Sequence, residues 1–270
     1  MHGIGVRSYS ELRGEGASRR DIEHAVASGA VSRIARGWYA FPGAHPEVVK
    51  AIQHGARAGC LAGCQLHGLW VPPYTGLHAV YGAGCAPSLR DPDLHSYRAP
   101  QPRVPVWPLL DCLEQVVQRH STETAVIVLE SALNLRVVSD EEVSLLLHRH
   151  VVRGALVRRH LSSAESGSET RVRVFLQRRN VPVRPQVEID GVGRVDLLVG
   201  RSLIIECDSL AHHSAKDRYE LDRFRDLNAR DLGFDTARLS YRQVWQQWGW
   251  TRAVLGRQIR LGRHSRPIFS

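Results

Sequence analysis

The chain has 270 residues, 43% of them hydrophobic and 23% charged, which excludes a disordered chain and allows two domains, or one domain with a large extension, around real cores. Lys and Arg number 36 against 27 Asp and Glu, a formal net charge of +9 that excludes an acidic surface and favours a polyanionic partner. No stretch approaches the roughly 18 apolar residues of a membrane span and no basic-then-apolar leader opens the chain, so a cytoplasmic protein without a membrane partner is expected.

From the N-terminus, Ser8 to Glu15 reads as one short helix, Gly16-Ala17 as a turn, and Ser18 as the N-cap of a second helix from Arg19 to about Ser28, ended by Gly29. Val31 to Phe41 alternates and turns at Gly37, as two short strands of a wing would. A helix-turn-helix followed by a wing places its second helix in the major groove and its wing near backbone phosphates. Arg19, Arg20, Arg33 and Arg36 are then the expected DNA contacts. The plainer reading is a small helical cap packed on the next domain. The stretch Ala25-Val26-Ala27-Ser28-Gly29 with Gly37-Trp38-Tyr39 resembles the winged-helix domain of AbiEi-family antitoxins over about forty residues, and His67-Gly68-Leu69-Trp70 resembles a second segment of that family.

Residues 42–160 read as a mainly helical connector: helices at Val48–Gly63, Leu109–His120, Thr122–Leu135 and Ser139–His150, the last opened by a Ser-x-x-Glu cap. Leu77–Tyr81 reads as a strand, and Pro87–Pro108 as a surface loop or an irregular strand pair. The five cysteines are odd in number and lack paired Cys-x-x-Cys spacing, so no disulfide framework or zinc ribbon is indicated. Cys60, Cys64 and His67 have a spacing that a metal site could use, but the surrounding Ala, Leu and Gly favour a packed helix.

The most informative stretch comes next. Arg194-Val195-Asp196-Leu197-Leu198-Val199, a turn at Gly200-Arg201, and Ser202-Leu203-Ile204-Ile205-Glu206-Cys207-Asp208 read as a buried β-hairpin that carries acids. A two-residue loop sets Val199 opposite Ser202 and Asp196 opposite Ile205, next to Glu206; a loop one residue longer pairs Asp196 with Glu206 directly. Glu206 and Asp208 share a face in either case. Converging carboxylates repel and are costly to desolvate, and Mg²⁺ or Mn²⁺ is the simplest compensating cation. Alternatively, Asp196 and Asp208 sit in solvent at strand ends and only Glu206 is buried. Ser166 and Glu169 have capping-box spacing at the start of an upstream helix. Downstream come His212 and His213, a polar helix from about Ala215 to Leu232, and an apolar strand from Phe234 to Leu239. Asp222, Arg225 and Asp226 stand at i, i+3 and i+4, a spacing that surface salt bridges also use.

This order of helix-Glu, strand-Asp, strand-Glu-x-Asp, His and Asp-x-x-Arg-Asp helix resembles the PD-(D/E)xK nuclease superfamily in its very-short-patch-repair (Vsr) endonuclease-like branch, over about Ser163 to Trp248. The resemblance implies a set of catalytic residues: Glu169, Asp196, Glu206, Asp208, His213 and Arg225. In it Asp196 is the central metal ligand, Glu206 the acid of the (D/E)xK element, and Glu169 the acid of the first core helix. His213 matches a catalytic His of the branch. Asp208 stands where most of the superfamily has Lys, and the cysteine and histidine zinc site of Vsr proteins has no matching cluster.

The expected fold is α/β in the broad sense, α+β in detail: a restriction-endonuclease-like mixed sheet flanked by helices, preceded by a winged helix-turn-helix and a helical connector. The expected domains are 1–45 (winged helix), 46–160 (connector) and 161–270 (nuclease-like). The expected function is DNA phosphodiester hydrolysis or nicking with Mg²⁺ or Mn²⁺ held by Asp196, Glu206 and Asp208. The alternative is a non-catalytic DNA-binding regulator of antitoxin type with a decayed nuclease fold, and in a toxin-antitoxin setting a protein partner joins DNA. The sequence gives no oligomeric state.

Overall fold

In the computed structural model, which describes residues 4–86, 94–208 and 216–268 and leaves aside the side chains of 216–222, the chain forms two compact units. One comprises 1–128 and 144–154, the other 129–143 and 155–270. The architecture is α+β, with three sheets among the described residues.

The first unit opens with strand β1 (Val6–Ser8), helices α1 (Tyr9–Gly14) and α2 (Arg19–Ala27), and strands β2 (Ser32–Ala35) and β3 (Trp38–Ala40). The strands pair antiparallel in the order β1-β3-β2. Ser8 and Ser18 each close a full capping box, with Glu11 and Asp21 respectively, so two of the orphan amides of each short helix are satisfied. Leu12, Ile22, Val31 and Tyr39 bury one small core. Gly37, at φ 74°, supplies the left-handed residue of the tight β2–β3 turn. The two short helices and the two strands turning at Gly37 that the sequence indicated are thus present, with β1 as a third strand. A second cluster runs from Ile4, Val6, Trp38 and Ala40 into Val48 and Ile52 of α3 (Pro46–Gln53).

The segment expected as one helix from Val48 to Gly63 is divided. Gly55, at φ 76°, ends α3, strand β4 (Arg57–Ala58) follows, and α4 runs Cys60–Leu66. Strands β5 (Ala79–Ala83) and β6 (Leu94–Pro100) complete a sheet in the order β4-β5-β6, so of the two readings of Pro87–Pro108, loop or irregular strand pair, a strand is found at Leu94–Pro100. Next come α5 (Leu109–Arg119), α6 (Thr122–Asn134), α7 (Asp140–His148), with its Ser139–Glu142 cap formed, and α8 (Val151–Arg158).

Two buried acids explain how the chain divides. Glu114 of α5 accepts from Tyr97 (3.0 Å), Arg98 (2.6 Å), Arg149 (3.2 Å) and His150 (3.0 Å), which binds 144–154 into the first unit. Glu130 of α6 pairs with Arg173 and Thr170 and accepts the Ser162 amide, which binds 129–143 into the second.

The second unit continues with α9 (Gly167–Gln177), β7 (Val183–Ile189), β8 (Gly193–Val199), β9 (Leu203–Asp208), α10 (Lys216–Asp231), β10 (Asp235–Ser240), α11 (Tyr241–Trp245) and α12 (Trp248–Arg260). Its mixed sheet has the order β10-β9-β8-β7, with β10 parallel to β9 and the other pairs antiparallel. One sheet face packs Leu197, Val199, Leu203 and Ile205 against Val172, Phe175 and Leu176 of α9, Val244 of α11 and Leu255 of α12. The other packs Val195, Leu198 and Ile204 against Ala229 of α10 and Phe234. Burial on both faces accounts for the near-continuous apolar runs of β8 and β9. Pro185 lies in β7, an edge strand, where a missing amide is tolerated. Among the described residues no helix is long and apolar enough to cross a membrane.

Candidate functional site

The β8–β9 register decides between the two loop lengths. Val199 pairs with Leu203, Leu198 with Ile204 and Leu197 with Ile205, so the loop is Gly200-Arg201-Ser202 and the two-residue alternative is set aside. The paired register ends at Leu197 and Ile205, the residues next to Asp196 and Glu206. The two acids are also tied through backbone amides: the Asp196 amide donates to Glu206 Oε2 (3.2 Å), and the Cys207 amide donates to Asp196 Oδ2 (2.8 Å).

Asp196 sits at an irregularity. Val195 packs on the α10 side of the sheet and Leu197 on the α9 side, whereas residues two apart in a regular strand share a face. On the neighbouring β7, Gln186 has φ 53°, a left-handed conformation that costs a non-glycine residue on the order of 1–3 kcal/mol. The pairing on either side keeps its register, Pro185 with Leu197 and Val187 with Val195, so the distortion is confined to one rung. Gln186 also donates from Nε2 to Glu169 Oε2 (2.7 Å), which links the strained residue to the helix acid.

Glu169 lies in the first turn of α9 and is 4% exposed. Only half of the expected capping box forms. Ser166 Oγ accepts the Glu169 amide (3.2 Å), but the Glu169 carboxylate accepts from the Glu165 amide (3.0 Å) and from Gln186. Burial, and then the charge of Asp196, raise the Glu169 carboxyl above its ordinary range. The same two causes in the same order push Glu206 up to about 7, against the opposing pull of Arg225 and Arg238. The buried Cys207 thiol is raised by burial and then by Asp196, Glu169, Glu206 and Asp208, which shows how closely these acids gather.

The cations flanking Glu206 come from two elements. Arg225 of α10 donates to the carbonyls of Val192 (2.7 Å) and Arg194 (2.5 Å), and its Nη2 lies 3.8 Å from Glu206 Oε1. These bonds commit the guanidinium to the β7–β8 turn, so Arg225 braces the hairpin beside Glu206. Arg238 of β10 is the register partner of Glu206 in the parallel pair and donates to Asp226 (2.9 Å). Asp226 therefore pairs across to β10, and not with Arg225 one position before it on the helix. Asp208 ends β9, exposed, paired in register with Ser240. His212, His213 and the side chain of Asp222 lie outside the described residues.

In the first unit Arg20, Arg33 and Arg36 are exposed on α2, on β2 and in the β2–β3 turn, and Arg19 is exposed and bonded to Glu23 (2.8 Å). Sequence reasoning missed Gln186 and Arg238. The first follows a proline in an edge strand whose pattern is broken, and the second is marked only by its place across a parallel pair.

No protein-family model matches the chain, and no curated protein matches it.

Proposed function

We propose that the second unit is a metal-dependent DNA endonuclease that hydrolyses or nicks phosphodiesters, with the first unit's winged helix-turn-helix as a DNA-binding element. The observation that carries this reading is the Asp196–Glu206 pair on adjacent strands, each carboxylate fixed through one oxygen by a backbone amide, with buried Glu169 beside them. The donors are all oxygen, and the charge of Asp196 raises the proton affinity of both Glu169 and Glu206, so a hard divalent cation such as Mg²⁺ or Mn²⁺ fits the set. Asp196 and Glu206 would hold it, with Asp208 at the exposed edge. When bound, such an ion polarises a phosphoryl oxygen and lowers the pKa of a water.

The protein's own residues supply the rest. Gln186 and the Glu165 amide orient Glu169, Arg225 clamps the β7–β8 turn, and Arg238 places positive charge along β10 where the superfamily's Lys is replaced by Asp208. His213 is the proposed proton carrier from the segment after β9.

A second reading is a DNA-binding regulator of antitoxin type whose nuclease fold no longer cleaves. Asp208 at the Lys position favours it, as do the two well-capped helices of the winged element. Incubating supercoiled, linear, single-stranded and mismatched DNA with Mg²⁺ or Mn²⁺ tests both readings. Cleavage by the native protein and not by Asp196→Asn supports the nuclease. DNA binding with no cleavage on any substrate supports the regulator.

A further inference from the structure

We propose that Cys60, His78, His95 and His120 of the first unit form a binding site for one borderline-soft divalent cation of the Zn²⁺ type. The ligand atoms of Cys60, His78 and His95 all lie within 4.8 Å of one another. His120 Nε2 stands 2.9 Å from Cys60 Sγ, and its ring centroid is 5.2 Å from that of His78. A tetrahedral zinc needs donor-to-donor distances of about 3.3–3.6 Å, so closing by roughly an ångström brings Cys60, His78 and His95 to three corners, with His120 beside Cys60 to supply the fourth. Nitrogen and sulfur donors of this kind select Zn²⁺ over Mg²⁺ or Ca²⁺.

Backbone strain is a second, independent observation. Cys60 has φ 50° and His78 φ 36°, so two of the left-handed non-glycine residues are members of one cluster. Such conformations persist where the surroundings over-determine them and gather at functional sites. Cys60 is held there by its amide, which donates to Gln115 Oε1 (2.8 Å), and by the close approach of Gly59, where an added Cβ would meet Gln115, Trp107 and Val80 within 2.8 Å.

The four residues come from four places: the first turn of α4, the residue before β5, the second residue of β6 and the C-cap of α5. One cation would therefore fasten two strands of the β4-β5-β6 sheet to two helices. A cation bound here would take Cys60 as thiolate and the histidines as neutral imidazoles, since those are the ligating forms. The Cys60, Cys64 and His67 spacing plays no part. Cys64 is buried in the helix and His67 Nε2 bonds the Trp107 carbonyl (2.8 Å).

The test uses the full chain, stripped with a chelator and then given Zn²⁺ or Co²⁺. The expected result is about one bound Zn²⁺ per chain by elemental analysis, and a thiolate-to-cobalt charge-transfer band with tetrahedral ligand-field absorption. His95→Ala and Cys60→Ala should each bind Zn²⁺ at least about tenfold more weakly, and Cys60→Ala should abolish the charge-transfer band. An Asp196→Asn, Glu206→Gln double variant should bind Zn²⁺ as the native chain does, which separates this site from the carboxylates. If Cys60→Ala does not fold, the native cobalt spectrum and His95→Ala decide. Folded native protein that takes up neither ion, a cobalt spectrum without thiolate character, or unchanged affinity in His95→Ala overturns the proposal.

Discussion

Glu206 holds its proton up to about pH 7 because burial and Asp196 both penalise the charged form, and this makes one side chain a reporter on the whole site. Its folded pKa lies above that of an unfolded glutamate, so between about pH 4.3 and 7 the folded protein binds more protons than the unfolded one and stability falls as pH rises. In chelator, Glu206→Gln is therefore expected to be neutral near pH 5 and to stabilise by on the order of 1–3 kcal/mol at pH 8, read by urea denaturation. A parallel pH profile for both proteins would assign the titration elsewhere. Asp196→Asn should keep the fold and lower cleavage by more than about a hundredfold, measured as loss of supercoiled substrate, because losing a ligand exceeds the 10–100-fold typical of an outer-shell change. These acids were legible in the sequence because carboxylates in apolar strands violate the pattern around them. Gln186, Cys60 and His78 were not, since the left-handed backbone that marks them is a property of tertiary packing.

Among elements, those defined by local chemistry matched the sequence best. Ser18 and Ser139 stand before helices and form the caps their spacing predicted, Ser8 caps a helix that the sequence began one residue early, and Gly37 turns β2 into β3. Non-local features were left open or missed. The three-residue β8–β9 loop was one of two choices, β6 fell in a segment read as loop or strand pair, and β4 became visible only as a partner of β5. Replacing Ser18 with Ala should cost about 1 kcal/mol in thermal or urea unfolding, since it removes the cap that α2 relies on. If the winged element meets phosphate, Ala at Arg33 and Arg36 should each lower the salt slope of DNA binding by about 0.9, measured by fluorescence anisotropy across an ionic-strength series. Arg19, already bonded to Glu23, should change it less. Equal slopes for all variants would place the DNA contacts elsewhere.

At the scale of the molecule, the buried acids Glu114 and Glu130 show where the segments 129–143 and 144–154 belong. Arg173 has no exposed side-chain surface and Glu130 is its carboxylate partner, so Glu130→Ala in the full chain should cost roughly 3–5 kcal/mol by urea denaturation. A loss below about 1 kcal/mol would mean the pair is not buried as described. The division also falls inside helices: 128/129 within α6, 143/144 within α7 and 154/155 within α8. This interleaving gives the protein a timetable during synthesis. The ribosome delivers the opening piece of the second unit before the closing piece of the first, and at ~5–20 residues per second the first unit waits roughly a few seconds for Arg149 and His150 to reach Glu114. Until then Glu114 lacks two of its donors, and Glu130 waits longer still, until Arg173 has been made.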